Sequence, residues 1–345
     1  MNKSLIDWSH QEFSNLPWRK NRTLFRTLVS EIMLQQTTVS TVLNHFERFI
    51  QEYPSVEHIA KATNEQLTVS WKGLGYYRRA RNLKKACEYF HENFNGEIPL
   101  NFDLLIEAPG IGEYTANALL SIGANQKALA LDANLERVLS RIHGIKEQKG
   151  PKLLKLLKKK FDEGEIAPDI EKFGPRKFNE ALMDLGRNWC KANKASCDLC
   201  PLSHDCSAAS SGRPLDIPIR PAKKSGDISF NLVLLRLLFF KDGHIYVYRK
   251  KESEWLAGQY EVPTFTLQCE DSNFSQYPFL DFSDHHFLPE YKTLITKYRI
   301  TNKVLVVNDQ DLKQLNVDPS LYQLKPVDAN SNLSTATMKA IQLLK

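Results

Sequence analysis

Four cysteines lie close together in the sequence, and their thiolates could hold a metal centre. Cys190, Cys197, Cys200 and Cys206 form the pattern C-x6-C-x2-C-x5-C. Inside a cell, where thiols stay reduced, such clustering favours a metal or an iron-sulfur cluster over disulfides. Zinc ribbons usually present two Cys-x2-Cys pairs, whereas here one pair is flanked by unequal single cysteines. The spacing therefore favours one 4Fe-4S cluster, with zinc as the alternative.

Glu31 lies in the apolar stripe of a predicted helix. Leu24 and Leu28 precede it at helical spacing, which places the Glu31 carboxyl on the same helix face. A carboxyl in that position loses hydration, so its pKa rises, and an acid protonated near neutral pH can act as a general acid. The alternative is a slightly rotated helix in which Glu31 reaches solvent or a buried arginine. Periodicity alone leaves both interpretations open.

Asp132 precedes a predicted helix, at a position typical of a helix N-cap, and most aspartates in such positions do nothing else. A second motif lies upstream, where residues 108–116 read APGIGEYTA between two helical stretches. Gly110 and Gly112 allow a tight turn that presents backbone N–H groups at a helix N-terminus. We interpret this segment as a helix-hairpin-helix that binds a phosphate without reading sequence.

The elements that must position these residues divide into two domains, because 345 residues are too many for one ordinary compact core. Residues 1–206 show helical periodicity and predict an all-α domain. Residues 207–227 are rich in Ser, Gly, Pro and Lys, which predicts an extended interdomain linker. Residues 228–345 predict an α/β domain. Its β-branched and aromatic runs cover 230–240, 244–250, 259–263 and 293–307, and helical stretches follow near 309–315 and 334–344.

The composition, with 42% hydrophobic and 25% charged residues, excludes a collagen, a disordered chain and a low-complexity array. Residues 1–224 carry 33 basic and 26 acidic side chains, whereas residues 225–345 carry 13 and 14. The positive excess therefore places a polyanionic partner on the first part. No apolar run has membrane-spanning length and no secretory signal is visible, so we expect an intracellular protein without membrane contact.

Several motifs between residues 16 and 206 resemble those of a known enzyme family. The helix-hairpin-helix, the segment LDANLERV at 131–138 and the cysteine pattern resemble the endonuclease III superfamily of DNA base-excision glycosylases. Further motifs are similar to its adenine DNA glycosylase (MutY) branch. They are LPWR at 16–19, SEIMLQQT at 30–37, GLGYYRRARNL at 73–83 and FNEALMDLG at 178–186.

The resemblance implies an all-α helix-hairpin-helix glycosylase domain with an iron-sulfur cluster loop, followed by an α/β Nudix-like domain. It implies a monomer that acts on double-stranded DNA and excises adenine mispaired with 8-oxoguanine or guanine, in the cytoplasm or at a bacterial nucleoid. Adenine is a poor leaving group, so the base must be protonated and the cationic sugar stabilised. By resemblance, Glu31 protonates adenine N7, and Asp132 stabilises or traps the oxocarbenium ion.

The resemblance also assigns the residues around the substrate. Tyr114 and Asn134 line the sugar side, and position 114 decides the reaction type, because lyase relatives place there a lysine that forms a Schiff base. Tyr114 cannot form an imine, so we expect a monofunctional glycosylase. Tyr76 matches an aromatic wedge that enters the base stack, with a core tyrosine as the alternative. The remaining substrate-binding positions are Trp18, Arg19, Gln36 and Glu180.

The second domain resembles the Nudix-like domain with which adenine DNA glycosylases recognise 8-oxoguanine. The Nudix catalytic box is absent, so we expect no pyrophosphate hydrolysis. The family's Phe-Ser-His recognition loop aligns with Ile295, Thr296 and Lys297. Of the three family side chains, this chain keeps only the hydroxyl, at Thr296. Thr296 can hydrogen-bond a base edge, and Lys297 suits a phosphate contact. We therefore expect a preference for 8-oxoguanine that is weaker than the family's.

Two other functions remain as alternatives. One is a related glycosylase with an altered base preference, because the recognition loop departs from the family pattern. The other, from a different class, is a non-catalytic DNA-binding protein with a structural cluster, which the loss of either carboxylate would favour. Glu31 and Asp132 are both present.

Overall fold

The structure is a computed structural model that describes residues 3–221, 229–282, 288–328 and 331–344. The chain divides into two compact units. The first comprises Met1–Ala62 and Gly73–Ala222, and the second comprises Thr63–Lys72 and Lys223–Lys345. Residues 222–227 of the predicted linker, and residue 228 at the predicted start of the second domain, lie outside the described residues.

Helices make up the regular structure of the first unit. In chain order they are α1 (Lys3–Phe13), α2 (Pro17–Lys20), α3 (Leu24–Leu34), α4 (Val39–Leu43), α5 (Phe46–Glu52), α6 (Val56–Lys61), α7 (Asn64–Ser70), α8 (Arg78–Phe94), α9 (Phe102–Glu107), α10 (Glu113–Ala118), α11 (Ala133–Ile142), α12 (Pro151–Asp162), α13 (Ile170–Phe173), α14 (Pro175–Asn188) and α15 (Ser207–Ser210). Of these, α7 groups with the second unit. None of the described helices is long and apolar enough to cross a membrane.

Local sequence explains why the two helices that carry the predicted carboxylates begin where they do. Thr23 caps α3, since its side chain accepts a hydrogen bond from the Arg26 N–H. Asp132 caps α11 through the N–H groups of Asn134 and Leu135. Buried apolar side chains pack α1, α11, α12 and α14 around one core, which fixes the position of α11. The core includes Leu5, Leu135, Leu139, Leu153, Leu157, Phe178 and Leu182.

Residues 207–221 are not an extended linker, which corrects the expectation from composition. They contain α15 and a short 3-10 turn, and they belong to the helical unit. Ala208 and Ile217 are buried, and Arg141 of α11 donates a hydrogen bond to the Ile217 carbonyl at 2.9 Å. The Ser, Gly and Pro content suggested an extended chain, but two buried apolar residues are enough to hold this segment on the unit.

The second unit contains two sheets. Its strands are β1 (Phe230–Leu238), β2 (Phe240–Lys241), β3 (His244–Arg249), β4 (Tyr260–Glu261), β5 (Thr264–Cys269), β6 (Glu290–Ile295), β7 (Tyr298–Val306) and β8 (Gln323–Pro326). One sheet has the order β5-β1-β7-β6, with β1 and β7 parallel and the other pairs antiparallel. The other has the order β2-β3-β4, and β8 also pairs with β3.

Two helices accompany the sheets, α16 (Asp309–Gln314) and α17 (Thr335–Gln342). Ala340 and Ile341 of α17 are buried in a core with Leu238, Val247 and Val262. The α/β character expected from the sequence is therefore confirmed. Other details differ from the prediction. The run 293–307 belongs to a hairpin of β6 and β7, and β5 and β8 were not predicted.

Candidate active site and cysteine loop

A cavity of about 740 Å³ lies within the helical unit and brings together residues that are far apart in sequence. It is lined by parts of α2, α3, α10, α11 and α14. Among its lining residues are eight of the predicted site residues: Trp18, Arg19, Glu31, Gln36, Tyr114, Asp132, Asn134 and Glu180. A concave site with convergent polar groups is the usual form of a small-ligand pocket.

Glu31 lies in the last part of α3, where its side chain is 6% exposed. This places it in the buried stripe of the helix and not on a rotated, solvent-facing side. Burial raises the pKa of Glu31 to about 7, and the charges of Asp132 and Glu180 act in the same direction. The Tyr114 hydroxyl donates a hydrogen bond to Glu31 Oε2 at 2.5 Å, which opposes part of that rise. Glu31 can therefore hold or release a proton near neutral pH.

Asp132 has two roles in the geometry, because it caps α11 and also lines the cavity. Its Oδ1 accepts hydrogen bonds from the N–H groups of Asn134 at 2.8 Å and Leu135 at 2.7 Å. Its Oδ2 accepts from Asn134 Nδ2 at 2.8 Å. These bonds fix the orientation of the carboxylate toward the cavity that Glu31 also lines.

A chain of hydrogen bonds joins Asn134 to the cysteine loop. Arg137, one turn further along α11, donates from Nη2 to Asn134 Oδ1 at 3.0 Å and from Nε to the Cys190 carbonyl at 2.8 Å. Arg141 lies one turn beyond Arg137, and its Nη1 is 3.3 Å from Cys190 Sγ. The same helix thus holds Asp132 at its N-terminus and contacts the cysteine loop along its side.

The four cysteines of the predicted metal site line one shared cavity, together with Arg141 and Trp189. All four are free thiols, so no disulfide competes with metal binding. Among the described residues, no group of three or more His, Cys, Asp or Glu side chains is placed to hold a single metal ion. The four cysteines therefore surround one shared space.

The comparison with known proteins agrees with this geometry. Residues 29–163 match the family described as HhH-GPD superfamily base excision DNA repair protein. Over this segment the chain is similar to the HhH-GPD superfamily. The family resemblance found in the motifs is thereby confirmed.

Curated relatives extend the match beyond that segment. An adenine DNA glycosylase of Buchnera aphidicola subsp. Acyrthosiphon pisum is 35% identical over 226 residues, which cover 64% of this chain and 62% of the relative. The adenine DNA glycosylase of Homo sapiens is 34% identical over 214 residues, or 59% and 38% of the two chains. The chain thus spans less than two thirds of the length of these relatives.

A solved structure shows the same helical fold. A thermostable thymine-DNA glycosylase aligns with a TM-score of 0.51 and 26% identity, and the alignment covers 60% of this chain and 94% of that chain. The match covers most of that protein and leaves the rest of this chain outside it.

Tyr76, Gly110, Gly112 and Thr296, the other predicted substrate-binding residues, do not line the cavity. Tyr76 is 61% exposed with φ of +46°, so it is not a core tyrosine, whereas the neighbouring Tyr77 is buried. Gly110 and Gly112 form the hairpin between α9 and α10. Gly110 has φ of +88°, and a Cβ there would come within 2.6 Å of Asn82 Cβ, so a glycine is required.

Thr296 belongs to the second unit, where it starts the turn between β6 and β7 with φ of +50°. Lys297 beside it forms an ion pair with Asp271, with Nζ 2.6 Å from Oδ2. The Tyr298 hydroxyl donates to the same Asp271 oxygen at 2.5 Å. Sequence reasoning missed Asp271, because nothing in its local sequence marks it as a partner of the turn.

Sequence reasoning also missed Asp184, which lines the cavity of the helical unit. Arg19 donates from Nη1 to Asp184 Oδ2 at 2.9 Å, and its Nε lies 3.2 Å from Glu180 Oε1. Arg22 Nη2 lies 2.6 Å from the same Glu180 oxygen. Spacing could have found Asp184, since residues four apart on a helix share a face with Glu180.

Proposed function

We propose that this protein is a monofunctional DNA glycosylase that excises adenine mispaired with 8-oxoguanine or guanine. The observation that carries the proposal is the buried Glu31 with a pKa of about 7, in the cavity that Asp132 also lines. An acid and an ionised carboxylate on one cavity suit cleavage of an N-glycosidic bond. Curated relatives that are adenine DNA glycosylases support the choice of base.

The chemistry follows from these groups. When the bond between adenine and C1′ breaks, its electron pair leaves with the base, and Glu31 donates the proton that neutralises that charge. The Asp132 carboxylate stabilises the cationic sugar, and Asn134 holds the carboxylate in place. Water then adds to C1′ and returns a proton to Glu31, which restores the acid. Tyr114 holds Glu31 and offers no amine for a lyase step.

The part of the cavity lined by Trp18 and Glu180 suits a planar base. Trp18 is buried there, and Arg19 and Arg22 hold the Glu180 carboxylate in a fixed position. A carboxylate fixed in this way can accept a hydrogen bond from the N6 amine of adenine. Guanine has a carbonyl oxygen at the same position, which cannot donate. We assign Glu180 and Arg19 to recognition of the extruded adenine, with Gln36 at the rim of the cavity.

We also propose that Cys190, Cys197, Cys200 and Cys206 hold one 4Fe-4S cluster. Four free thiols around a shared cavity, in the unequal spacing C-x6-C-x2-C-x5-C, fit a cluster of several atoms better than the paired knuckles of a zinc ribbon. Such a cluster would support the loop structurally, and Arg137 and Arg141 connect the loop to α11. Iron and acid-labile sulfide in equal amounts, in anaerobically purified protein, are the expected result, whereas zinc without sulfide contradicts the proposal.

For the second unit we propose a Nudix-like domain that contacts the strand opposite the extruded adenine. The support is the mixed sheet with its flanking helix, and the β6–β7 hairpin, where Thr296 offers a hydroxyl at the turn. The DNA partner follows from the basic first part of the chain, and a monomer is sufficient because the cavity residues all come from one chain.

Single-turnover cleavage of duplexes with defined mispairs tests the function. We expect rapid excision of adenine opposite 8-oxoguanine, slower excision opposite guanine, and none opposite thymine. Glu31→Gln should lose roughly 10²-fold or more in rate while still binding the mispair. Glu136→Gln is the matched control, since Glu136 is buried on α11 but does not line the cavity. Binding without cleavage of any mispair by the wild-type protein would favour the non-catalytic alternative.

A further inference from the structure

Arg79, in the first turn of α8, is a buried arginine that holds the end of α3. Its side chain is 7% exposed. Its Nη1 donates to the carbonyl oxygens of Ile32 at 3.0 Å, Met33 at 2.6 Å and Gln35 at 2.5 Å. Carbonyl groups at a helix C-terminus lack partners within the helix, so a guanidinium that binds them fixes where the helix ends. Glu31 lies directly before these residues.

The same guanidinium also holds the loop that precedes Tyr76. Its Nη2 donates to the Leu74 carbonyl at 2.9 Å, the Gly75 carbonyl at 3.1 Å and Thr37 Oγ1 at 2.8 Å. One planar group therefore joins two segments whose positions are set by different parts of the chain. A lysine could not replace it, because a single ammonium carries three donors and lacks the fork geometry.

Tyr76 is the residue that these contacts hold in place. Its φ of +46° is in the left-handed region, which is strained for a tyrosine and persists only where the surroundings impose it. The ring is 61% exposed, and the Arg79 guanidinium lies 5.6 Å from its centroid. An exposed aromatic ring on a strained backbone needs a rigid support to enter a base stack.

We propose that Arg79 is a positioning residue that fixes Tyr76 relative to the end of the helix carrying Glu31. Tyr76 and Glu31 are then held at a constant separation, so that the base that Tyr76 displaces arrives at Glu31. The inference rests on the proposed glycosylase function for its effect on DNA. The support that Arg79 gives to the two segments does not depend on that function.

The test compares Arg79→Lys with Arg78→Lys, its exposed neighbour on α8. In the free protein, amide exchange in residues 35–38 and 73–77 should quicken in Arg79→Lys and stay at the wild-type rate in Arg78→Lys. On mispaired duplexes, fluorescence of a 2-aminopurine beside the target adenine reports unstacking. Arg79→Lys should lose most of that signal and roughly 10²-fold in single-turnover rate, with affinity for undamaged duplex unchanged. Wild-type exchange and wild-type fluorescence in Arg79→Lys would overturn the proposal.

A second variant covers the case in which Arg79→Lys does not fold. Thr37→Val removes one of the acceptors and keeps the side-chain shape, so it should shift exchange and fluorescence in the same direction by a few-fold. No change in either readout for Thr37→Val counts against the proposal. If wild-type protein excises no adenine, the proposed function fails, whereas the exchange experiment still decides whether Arg79 supports Tyr76.

Discussion

The Tyr114 hydroxyl donates a hydrogen bond to Glu31 Oε2 at 2.5 Å, although the two residues are 83 positions apart in sequence. The bond joins α10, which begins directly after the Gly-x-Gly hairpin, to α3. It stabilises the ionised form of a carboxyl that burial otherwise keeps protonated. Burial is the largest contribution to the proton affinity of the candidate general acid, and the Tyr114 hydrogen bond is the largest one that opposes it.

Replacing Tyr114 with phenylalanine removes the stabilising hydrogen bond and should raise the pKa of Glu31 further above 7. If protonated Glu31 is the active form, the decline of the single-turnover rate at high pH should move upward by roughly one pH unit. Tyr89→Phe is a matched control, because Tyr89 donates a comparable 2.8 Å hydrogen bond to Glu107 outside the cavity. A pH–rate profile for Tyr114→Phe that coincides with that of the wild type would show that Glu31 is not the titrating acid.

Glu31→Gln should change stability in a pH-dependent way. The folded state binds the Glu31 proton more tightly than the unfolded state, whose ordinary pKa is 4.5. Wild-type stability therefore falls as pH rises from 4.5 to about 7, and the loss is complete above that value. At pH 8 the variant should be more stable than the wild type, on the order of 2–3 kcal/mol, with little difference at pH 4.5.

Urea unfolding at the two pH values measures this difference. Glu136→Gln provides the comparison, because it replaces the carboxylate acceptor of the Gly150 N–H with a neutral amide oxygen and should change stability by a similar, small amount at both pH values. If Glu31→Gln raised the free energy of unfolding equally at pH 4.5 and pH 8, the result would contradict the raised pKa of Glu31.

The two roles of Asp132 can be separated by substitution. Asparagine is as good an N-cap as aspartate, so Asp132→Asn should keep the cap of α11 and lose only the hydrogen bond from Asn134 Nδ2, about 1 kcal/mol. It removes the negative charge, so the glycosylase rate should fall by roughly 10²-fold or more. Asp132→Ala also loses the cap, so its free energy of unfolding should be about 1 kcal/mol lower than that of Asp132→Asn. Equal activity of Asp132→Asn and wild type would reduce Asp132 to a capping residue.

The turn at Thr296 provides a test of opposite-strand recognition. Ile295→Phe, Thr296→Ser and Lys297→His together restore the family loop and should widen the preference for 8-oxoguanine over guanine. Asp271→Asn should narrow this preference, because the Asp271 carboxylate of the wild type holds both Lys297 and Tyr298. Single-turnover rates on the two mispairs give the ratio, with Lys292→His, an exposed change on β6, as the control. Unchanged ratios in the triple variant and Asp271→Asn would remove this hairpin from lesion recognition.

The sequence predicted those parts of the site that depend on local spacing. Helical periodicity indicated a buried stripe for Glu31 but left a rotated helix open, and the capping position of Asp132 followed from the apolar pattern around it. It could not predict Asp271, whose partners lie 26 and 27 residues away, or the role of Arg79, whose acceptors lie up to 47 residues away. These contacts depend on how separate segments meet, which periodicity does not encode.

The contacts of α11 bear on how the protein is made. Asp132 caps this helix, but Arg137 binds the Cys190 carbonyl 53 residues later, and Arg141 binds the Ile217 carbonyl 76 residues later. Contacts of such long sequence separation form late, because a long loop must close first. During biosynthesis Asp132 therefore leaves the ribosome well before the segments that fix its helix. We expect α11 to gain its last contact of this kind only after residue 217 has emerged.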